Sequence, residues 1–337
     1  MNTRRDLTPN PQHDSVRVIV YSVRDDVIMS ALDHALTSTP YTDHVGVIVC
    51  DEHSHVLTNQ GSIGRYSHVQ VVKTERELFE LFIATVKQYD PDFILGYELQ
   101  ASSLGYLIER AEVLRIDLVE EISRLPRGHQ ARTKNGKETS AAKWERAHGT
   151  GIHVTGRIIL NVWRILRSEL PLAKSSYDHV TYHVLHQRVP WFDWSVLTRW
   201  WTQSSTRWRV IEHVTGMAVR NILLLDALNV IGRCCELARL YGIELQAVLS
   251  RGSQYRVEAM ILRACKSRDY LLYSPSRQQV AQQAAPESLP LVLEPRSGYY
   301  PDPVLVLDFQ SLYPSIMIAY NYCYSTCLGR VAPGTGP

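Results

Sequence analysis

The chain has 337 residues, and at roughly 150 residues per domain this length predicts about two domains. Its 36 lysines and arginines nearly balance 34 aspartates and glutamates, and a formal net charge of +2 excludes a polycation that coats nucleic acid. Hydrophobic residues make up 45% and charged residues 21%, which excludes wholesale disorder. We expect no membrane span and no secretory signal, because the apolar stretches are short and the first residues are polar. Most of the six cysteines lie in apolar segments, which indicates reduced, packed thiols.

The first half of the chain alternates predicted strands and helices. β-branched runs at 16–23 and 45–50 predict strands, and the capping-box pattern at 74–77 predicts a helix that ends near Asp90-Pro-Asp92. There follow a predicted strand at 93–95, a predicted helix and a predicted strand near 157–160. The helix carries Leu104, Leu107, Ile108 and Ala111. This order predicts an α/β domain.

Between and after these elements the composition changes. Residues 124–149 carry seven basic residues against two glutamates, which favours a solvated surface loop, with a phosphate-contacting insertion as the alternative. Six of the seven tryptophans lie within 162–210, a density more typical of a packed core than of a stacking platform.

Apolar residues at helical spacing from Leu223 to Leu237 predict one helix ended by Gly242. The polar stretch 266–300 is interpreted as a connection between two domains.

Three groups have the residue types of metal sites: His179, His183 and His186; Asp51-Glu-His-Ser-His55; and Cys323 with Cys327. The histidine group lacks the glutamate of H-E-x-x-H, and no third-ligand carboxylate is obvious, so a structural role is favoured. The second group follows an apolar run, as a solvated turn does. The cysteine pair has no second pair to face it, and we expect buried small hydrophobic residues.

Asp308 lies near the end of the strand predicted at 304–309, just before a helix with Pro314 near its start. A carboxylate at this place can bind a divalent cation, while the N–H groups of the turn and the helix start can face a triphosphate. This arrangement suits phosphoryl transfer. An aspartate after a strand is also commonly a cap, so both interpretations stay open on spacing alone.

The full string Asp308-Phe-Gln-Ser-Leu-Tyr-Pro-Ser-Ile resembles motif A, D-x-x-S-L-Y-P-S-I, of family B DNA polymerases. The continuation at 318–330 and the upstream segments at 236–243, 251–258 and 293–300 are similar, in the same order, to the translesion branch of that family. The resemblance covers nearly the whole chain.

The resemblance implies an α/β fold with an RNase H-like, exonuclease-type domain at 1–245. A connecting segment at 246–300 and the start of a polymerase palm at 301–337 would follow. The implied whole protein is a nuclear DNA-directed DNA polymerase that binds primer-template DNA and dNTP.

The resemblance also assigns roles in motif A. Asp308 is expected to be a catalytic ligand of Mg²⁺, and Phe309 to offer its carbonyl to one of the ions. Ser311, Leu312 and Tyr313 are expected to bind the triphosphate through backbone amides. The Tyr313 ring would also stack under the sugar and exclude a 2′-hydroxyl.

The exonuclease-type domain departs from proofreading members of the family. Residues 90–111 look like the second exonuclease motif, but Ser102-Ser103 replaces its Phe-Asp and Glu98 replaces its asparagine. In the third motif, the tyrosine and aspartate positions fall on His213 and Met217. The first motif would precede residue 1. Because serine and methionine do not hold divalent metal as carboxylates do, we expect no exonuclease activity.

Motifs B and C, which supply further nucleotide and metal contacts, do not occur within these residues, so we expect the 337 residues alone to be inactive in synthesis. The HORMA-type accessory subunit, other polymerase subunits and a possible 4Fe-4S cluster are implied only for the full-length protein. The alternative is a nucleic-acid or protein-binding module on a degenerate exonuclease fold. Such a module would contact DNA through Arg132, Lys134 and Lys137 of the basic loop.

Overall fold

The computed structural model describes residues 8–24, 44–51, 68–100, 102–125, 151–271, 276–282 and 291–322. The chain divides into two units, Met1–Arg256 and Val257–Pro337. The strands are β1 (Val18–Val23), β2 (His44–Cys50), β3 (His68–Val72), β4 (Phe93–Gly96) and β5 (Ile158–Asn161). The helices are α1 (Glu75–Tyr89), α2 (Leu104–Val113), α3 (Leu118–Ile122), α4 (Val162–Glu169), α5 (Tyr177–Leu185), α6 (Trp194–Thr202), α7 (Arg207–Ala227), α8 (Val230–Tyr241), α9 (Leu245–Ser250), α10 (Ser253–Lys266), α11 (Arg277–Gln282) and α12 (Leu312–Tyr320).

The strands form two small sheets within the first unit. β2 is central in a three-stranded sheet, antiparallel to β1 and parallel to β3, with Val47 opposite both Val20 and Val69. β4 and β5 form a parallel pair in which Leu95 lies opposite Leu160. The strands predicted at 16–23, 45–50, 93–95 and 157–160 are confirmed, and β3 was not predicted.

Helix α1 begins with the predicted capping box. The Thr74 Oγ1 accepts the Glu77 N–H at 3.2 Å, and the Glu77 carboxylate accepts the N–H groups of Lys73 and Thr74. These bonds to the ionised carboxylate, that from Lys73 foremost, lower the pKa of Glu77. The helix ends at Asp90, whose left-handed backbone (φ 43°) and N–H bond to the Val86 carbonyl close the last turn.

The first unit contains two main apolar clusters. One lies between α1, α2, α3 and the three-stranded sheet, with Phe79 and Ile48 fully buried. The other joins β5, α4, α5, α7 and α8, with Leu166 and Leu224 fully buried. Of the described cysteines, all free thiols, Cys50 and Cys234 are buried, as expected for packed thiols.

The single helix predicted from Leu223 to Leu237 is two helices. α7 ends at Ala227 and α8 begins at Val230, and Asn229 between them is left-handed at φ 46°. Asparagine adopts this conformation more readily than most residues, because its short polar side chain bonds locally. The predicted end at Gly242 is confirmed, with φ 67°. No single described helix meets the length and hydropathy of a membrane span; α7 and α8 meet them only as a pair bent by 47°.

The prediction that the tryptophans of 162–210 form a packed core is wrong. None of the six is buried; Trp191 is 58% exposed and the other five are half-buried. Arginine guanidinium groups lie over several of the rings, as with Arg167 over Trp163 and Arg207 over Trp201, although Trp201 also packs against the apolar cluster of Val47, Val49 and Ile211. An arginine can stack flat on an indole and remain hydrated at its edge, so these rings stay at the surface.

In the second unit the predicted helix after Asp308 is confirmed as α12, but the strand predicted at 304–309 is not formed. A strand requires hydrogen bonds to a neighbouring strand, and the described part of this unit contains none. All residues from 291 to 322 are exposed. The basic loop from 126 onward, residues 52–55 and the pair Cys323 and Cys327 lie outside the described residues.

We expect the stability of the chain to depend on the first cluster. Changing Phe79 to alanine should lower the free energy of unfolding by about 3–5 kcal/mol, because it opens a cavity in a fully buried site. The matched control is Phe309→Ala, at a ring 77% exposed, which should change that free energy by no more than about 0.5 kcal/mol. Urea denaturation measures both. Equal losses would show that the second unit carries as much of the core as the first.

Candidate functional site

The motif A segment places a carboxylate directly before a helix start. Ser311, the N-cap of α12, is left-handed at φ 53°, and its carbonyl accepts the Ser315 N–H at 2.9 Å. Pro314 has no N–H, so the first turn presents the N–H groups of Leu312 and Tyr313, which have no acceptor among the described residues. Such a helix start is an anion-binding end.

The predicted motif A residues are consecutive in this short stretch and face solvent. The Tyr313 ring and the Phe309 ring are each 77% exposed. Asp308 is exposed and forms no ion pair within the described part of the chain. No cluster of three or more His, Cys, Asp or Glu side chains that could hold a metal occurs in the described ranges. His179 and His183 lie on α5, while His186 is its left-handed C-cap.

The second exonuclease motif forms the turn between β4 and α2. Gly96 ends the strand beside Ser103, since a Cβ on Gly96 would lie 3.0 Å from the Ser103 Oγ. Glu98 is the one carboxylate in the turn; it accepts the Gln100 N–H at 3.4 Å, and its carbonyl accepts the Ser102 Oγ–H. Arg164 of α4 donates to the Gln100 side-chain oxygen at 3.3 Å. The turn therefore holds one carboxylate, with an arginine beside it.

The two third-motif positions lie on α7. Met217 packs in the second apolar cluster, and its carbonyl accepts the Tyr177 hydroxyl at 3.4 Å. The Tyr97 and Tyr177 rings are perpendicular, with their centroids 4.9 Å apart. Burial raises the pKa of Tyr177 to about 12. Burial, with the charges of Tyr177 and Asp178 after it, also raises the pKa of Tyr97, so both phenols are neutral at physiological pH. The Met217 side chain itself offers no anionic oxygen to a metal ion.

His213 is half-buried and lies beside a cation. Its ring contacts Phe192 nearly perpendicularly at 5.0 Å, and burial, with the nearby Arg220 charge second, lowers the pKa of His213. The Arg220 guanidinium donates to Gln187 at 3.2 Å and lies over Gly216, where a Cβ would be 2.4 Å from Nη1. The charge beside this position is therefore positive, whereas a two-metal exonuclease site requires carboxylates.

Sequence reasoning missed the arginines of this helix face. Arg209, His213 and Arg220 are four and seven residues apart, so they share one face of α7, opposite its buried residues Ile211 and Ile222. The helical spacing of Arg209 and Arg220 is visible in the sequence and is the signal that identifies this face.

Comparisons with known proteins find an exonuclease domain first and a polymerase domain after it. Residues 3–178 match the model of the DNA polymerase family B exonuclease domain, and residues 243–334 match that of DNA polymerase family B. The chain belongs to DNA polymerase family B. Its mixed α/β fold is thus a family B exonuclease domain followed by the start of the polymerase domain.

Among family B members, the chain is similar to catalytic subunits of DNA polymerase zeta. It is 42% identical to the Homo sapiens subunit and 38% identical to the Saccharomyces cerevisiae subunit, in each case over 98% of this chain. The DNA polymerase delta catalytic subunit of Glycine max is 30% identical over 77% of it. The chain spans 10% of the human, 21% of the yeast and 23% of the Glycine subunit's length.

We expect His213 to titrate below 6.5, its ordinary pKa. Changing Arg220 to glutamine should raise the pKa of His213 without restoring 6.5, because burial, the larger cause, remains. Proton NMR titration, with His213→Gln to assign the signal, measures this shift.

Protonation of His213 is linked to the stability of the fold. The unfolded chain binds a proton at His213 more readily than the folded chain, so stability is full above about pH 6.5 and is lost as pH falls from there through the folded pKa. The control Arg239→Gln, at an exposed residue paired with Glu236, should leave the titration of His213 unchanged. A pKa unaffected by Arg220→Gln would contradict the proximity of the two charges.

Proposed function

We propose that residues 308–313 bind the incoming nucleotide and catalytic metal of a translesion, zeta-type DNA-directed DNA polymerase. The observation that carries the proposal is the complete motif A string at the start of α12, where Asp308 stands beside an anion-binding helix end. Similarity to zeta catalytic subunits over 98% of this chain supports the branch of the family.

The donor atoms fit Mg²⁺ in kind. The Asp308 carboxylate and the Phe309 carbonyl are hard oxygen donors, and both belong to exposed residues. When bound, the metal ions activate the primer 3′-oxygen and stabilise the pyrophosphate that leaves. A single carboxylate does not hold two such ions, so we propose that the 337 residues by themselves do not synthesise DNA.

The remaining residues of the segment position the nucleotide. The N–H groups of Ser311, Leu312 and Tyr313 are proposed to bind the triphosphate, and the partial positive charge of the helix start adds to their attraction. The Tyr313 ring, exposed beside them, is proposed to lie under the sugar and leave no room for a 2′-hydroxyl.

The exonuclease-type domain is proposed to be inactive in proofreading. Its motif positions hold Ser103, His213 and Met217, and Arg220 supplies positive charge beside His213. For the full-length protein, we propose binding of primer-template DNA, association with accessory subunits of the HORMA type and a nuclear location. A 4Fe-4S cluster is likewise proposed only for the full-length protein.

Asp308 can be tested in a chimera in which these residues replace the homologous segment of the Saccharomyces cerevisiae zeta catalytic subunit. Asp308→Asn should lower magnesium-dependent primer extension at least about a hundredfold, because a metal ligand stabilises transition-state charge by several kcal/mol. The matched control Asp302→Asn removes another exposed carboxylate six residues earlier and should leave extension nearly unchanged. Extension by the Asp308→Asn chimera at the unsubstituted rate would reject the assignment.

The 337-residue chain should not degrade single-stranded DNA from its 3′ end in Mg²⁺ or Mn²⁺, because the exonuclease positions lack metal-binding carboxylates. Gel analysis of a 5′-labelled oligonucleotide measures this, with a proofreading family B polymerase as the positive control. Degradation that requires the metal and is abolished by chelator would overturn the proposal.

A further inference from the structure

An arginine–aromatic surface lies where α6 meets α7, and we define it by Arg188, Trp191, Trp200, Trp208 and Arg209. The Arg209 guanidinium carbon is 5.6 Å from the ring centroid of Trp200 and 5.5 Å from that of Trp208. Arg188 stands over the half-exposed Tyr182 ring at 5.7 Å. Trp191, three residues along the same segment, is 58% exposed.

The rings of this surface are held in place from beneath. The edge of Phe192 contacts Trp200 at a centroid distance of 4.6 Å, and the Thr206 hydroxyl donates to the Trp200 carbonyl at 2.8 Å. Arg207 donates to the Trp201 carbonyl at 2.7 Å and pairs with the largely buried Asp51 at 3.1 Å. The corner between α6 and α7 is therefore fixed, and its outer layer is preorganised for a ligand.

The outer arginines of this surface carry uncompensated charge. Unlike Arg207, neither Arg188 nor Arg209 has a carboxylate within 4 Å among the residues that the structure describes. Between residues 186 and 213 there are four arginines and only two carboxylates, Asp193 and Glu212. The surface thus presents cations next to an exposed indole.

We propose that the arginine–aromatic surface binds single-stranded DNA. Arg188 and Arg209 pair with backbone phosphates, while an unstacked base lies on Trp191. Aromatic rings and guanidinium planes stack on any base, and cations beside them follow the backbone, which is how single strands are bound without sequence preference. In a duplex the base faces are already stacked and could not use the indole. The surface shares no residue with motif A, so its test does not depend on synthesis.

The test measures binding of a fluorescein-labelled twelve-residue oligothymidylate to the 337-residue chain by anisotropy at 50 and 200 mM NaCl. Trp191→Ala should weaken binding at least about fivefold, because it removes one stacking platform. Arg209→Gln should also weaken binding and reduce the slope of log affinity against log salt by about 0.7, the contribution of one phosphate contact in a single strand. Unlabelled oligonucleotide should quench the intrinsic tryptophan fluorescence, and Trp191→Ala should remove part of that quenching.

The matched control is Arg167→Gln, which removes an equivalent arginine–tryptophan contact, 5.1 Å from Trp163, on α4. This control should keep the affinity within about twofold. Urea denaturation checks that each variant is folded. Because Trp191 is exposed, Trp191→Ala should not lower stability, and its affinity tests the proposal even if Arg209→Gln destabilises the chain. The proposal is overturned by unchanged affinity in Trp191→Ala, by equal losses in Arg167→Gln and Arg209→Gln, or by tighter binding of a polyglutamate peptide of the same charge.

Discussion

The packing of the first unit depends on one helix, α7, that contacts both sheets. α7 packs against β1 and β2 through Ile211, which is fully buried with Val47 and Val49, and further along it contributes Leu224 to the cluster that includes β5. Arg24, just after β1, pairs with Asp226 in the last turn of the helix. Ile211 and Leu224 lie about 140° apart around the helix, so α7 contacts the two clusters with different faces. The buried residues cover a wide arc that includes Thr215 and Asn221, and Arg209 and Arg220 lie outside that arc.

A second constraint fixes the edge of the fold near the chain's first described residues. The Arg110 guanidinium binds both carboxylate oxygens of Glu75, at 2.8 and 3.0 Å, and Glu75 also accepts the Val16 N–H. Both side chains of the pair are largely buried, and Arg110 also donates to the carbonyl of Pro11. A bidentate, partly buried pair is specific in geometry. It therefore joins α1, α2 and the segment that leads into β1, which sets the position of the sheet that α7 covers.

Local patterns predicted the elements whose causes are local. The capping box at Thr74 and Glu77 and the helix after Asp308 depend on residues within a few positions of one another, and both are confirmed. The β-branched strands at 16–23 and 45–50 are also confirmed, and each has the other as its pairing partner. The failures had distant causes. The apolar run at 304–309 forms no strand, because the described part of its unit has no neighbouring strand. Arginine guanidinium groups lie over Trp163, Trp200, Trp201 and Trp208, and the one over Trp200 comes from the neighbouring helix α7. Hydrophobicity alone does not distinguish an indole buried in a core from one stacked under a guanidinium.

The same distinction bears on what a degenerate exonuclease site can still do. Two metal ions held by carboxylates both grip a phosphodiester and activate the attacking oxygen, so binding and hydrolysis are coupled in one site. An arginine also grips phosphate, but it is always protonated and activates no water. On α7 the positions expected for a tyrosine and an aspartate hold His213 and Met217, while Arg209 and Arg220 lie on the helix face of His213. The aspartate position holds a methionine rather than a cation, so the arginines lie beside the degenerate positions, where they attract phosphate but do not replace a metal-binding carboxylate.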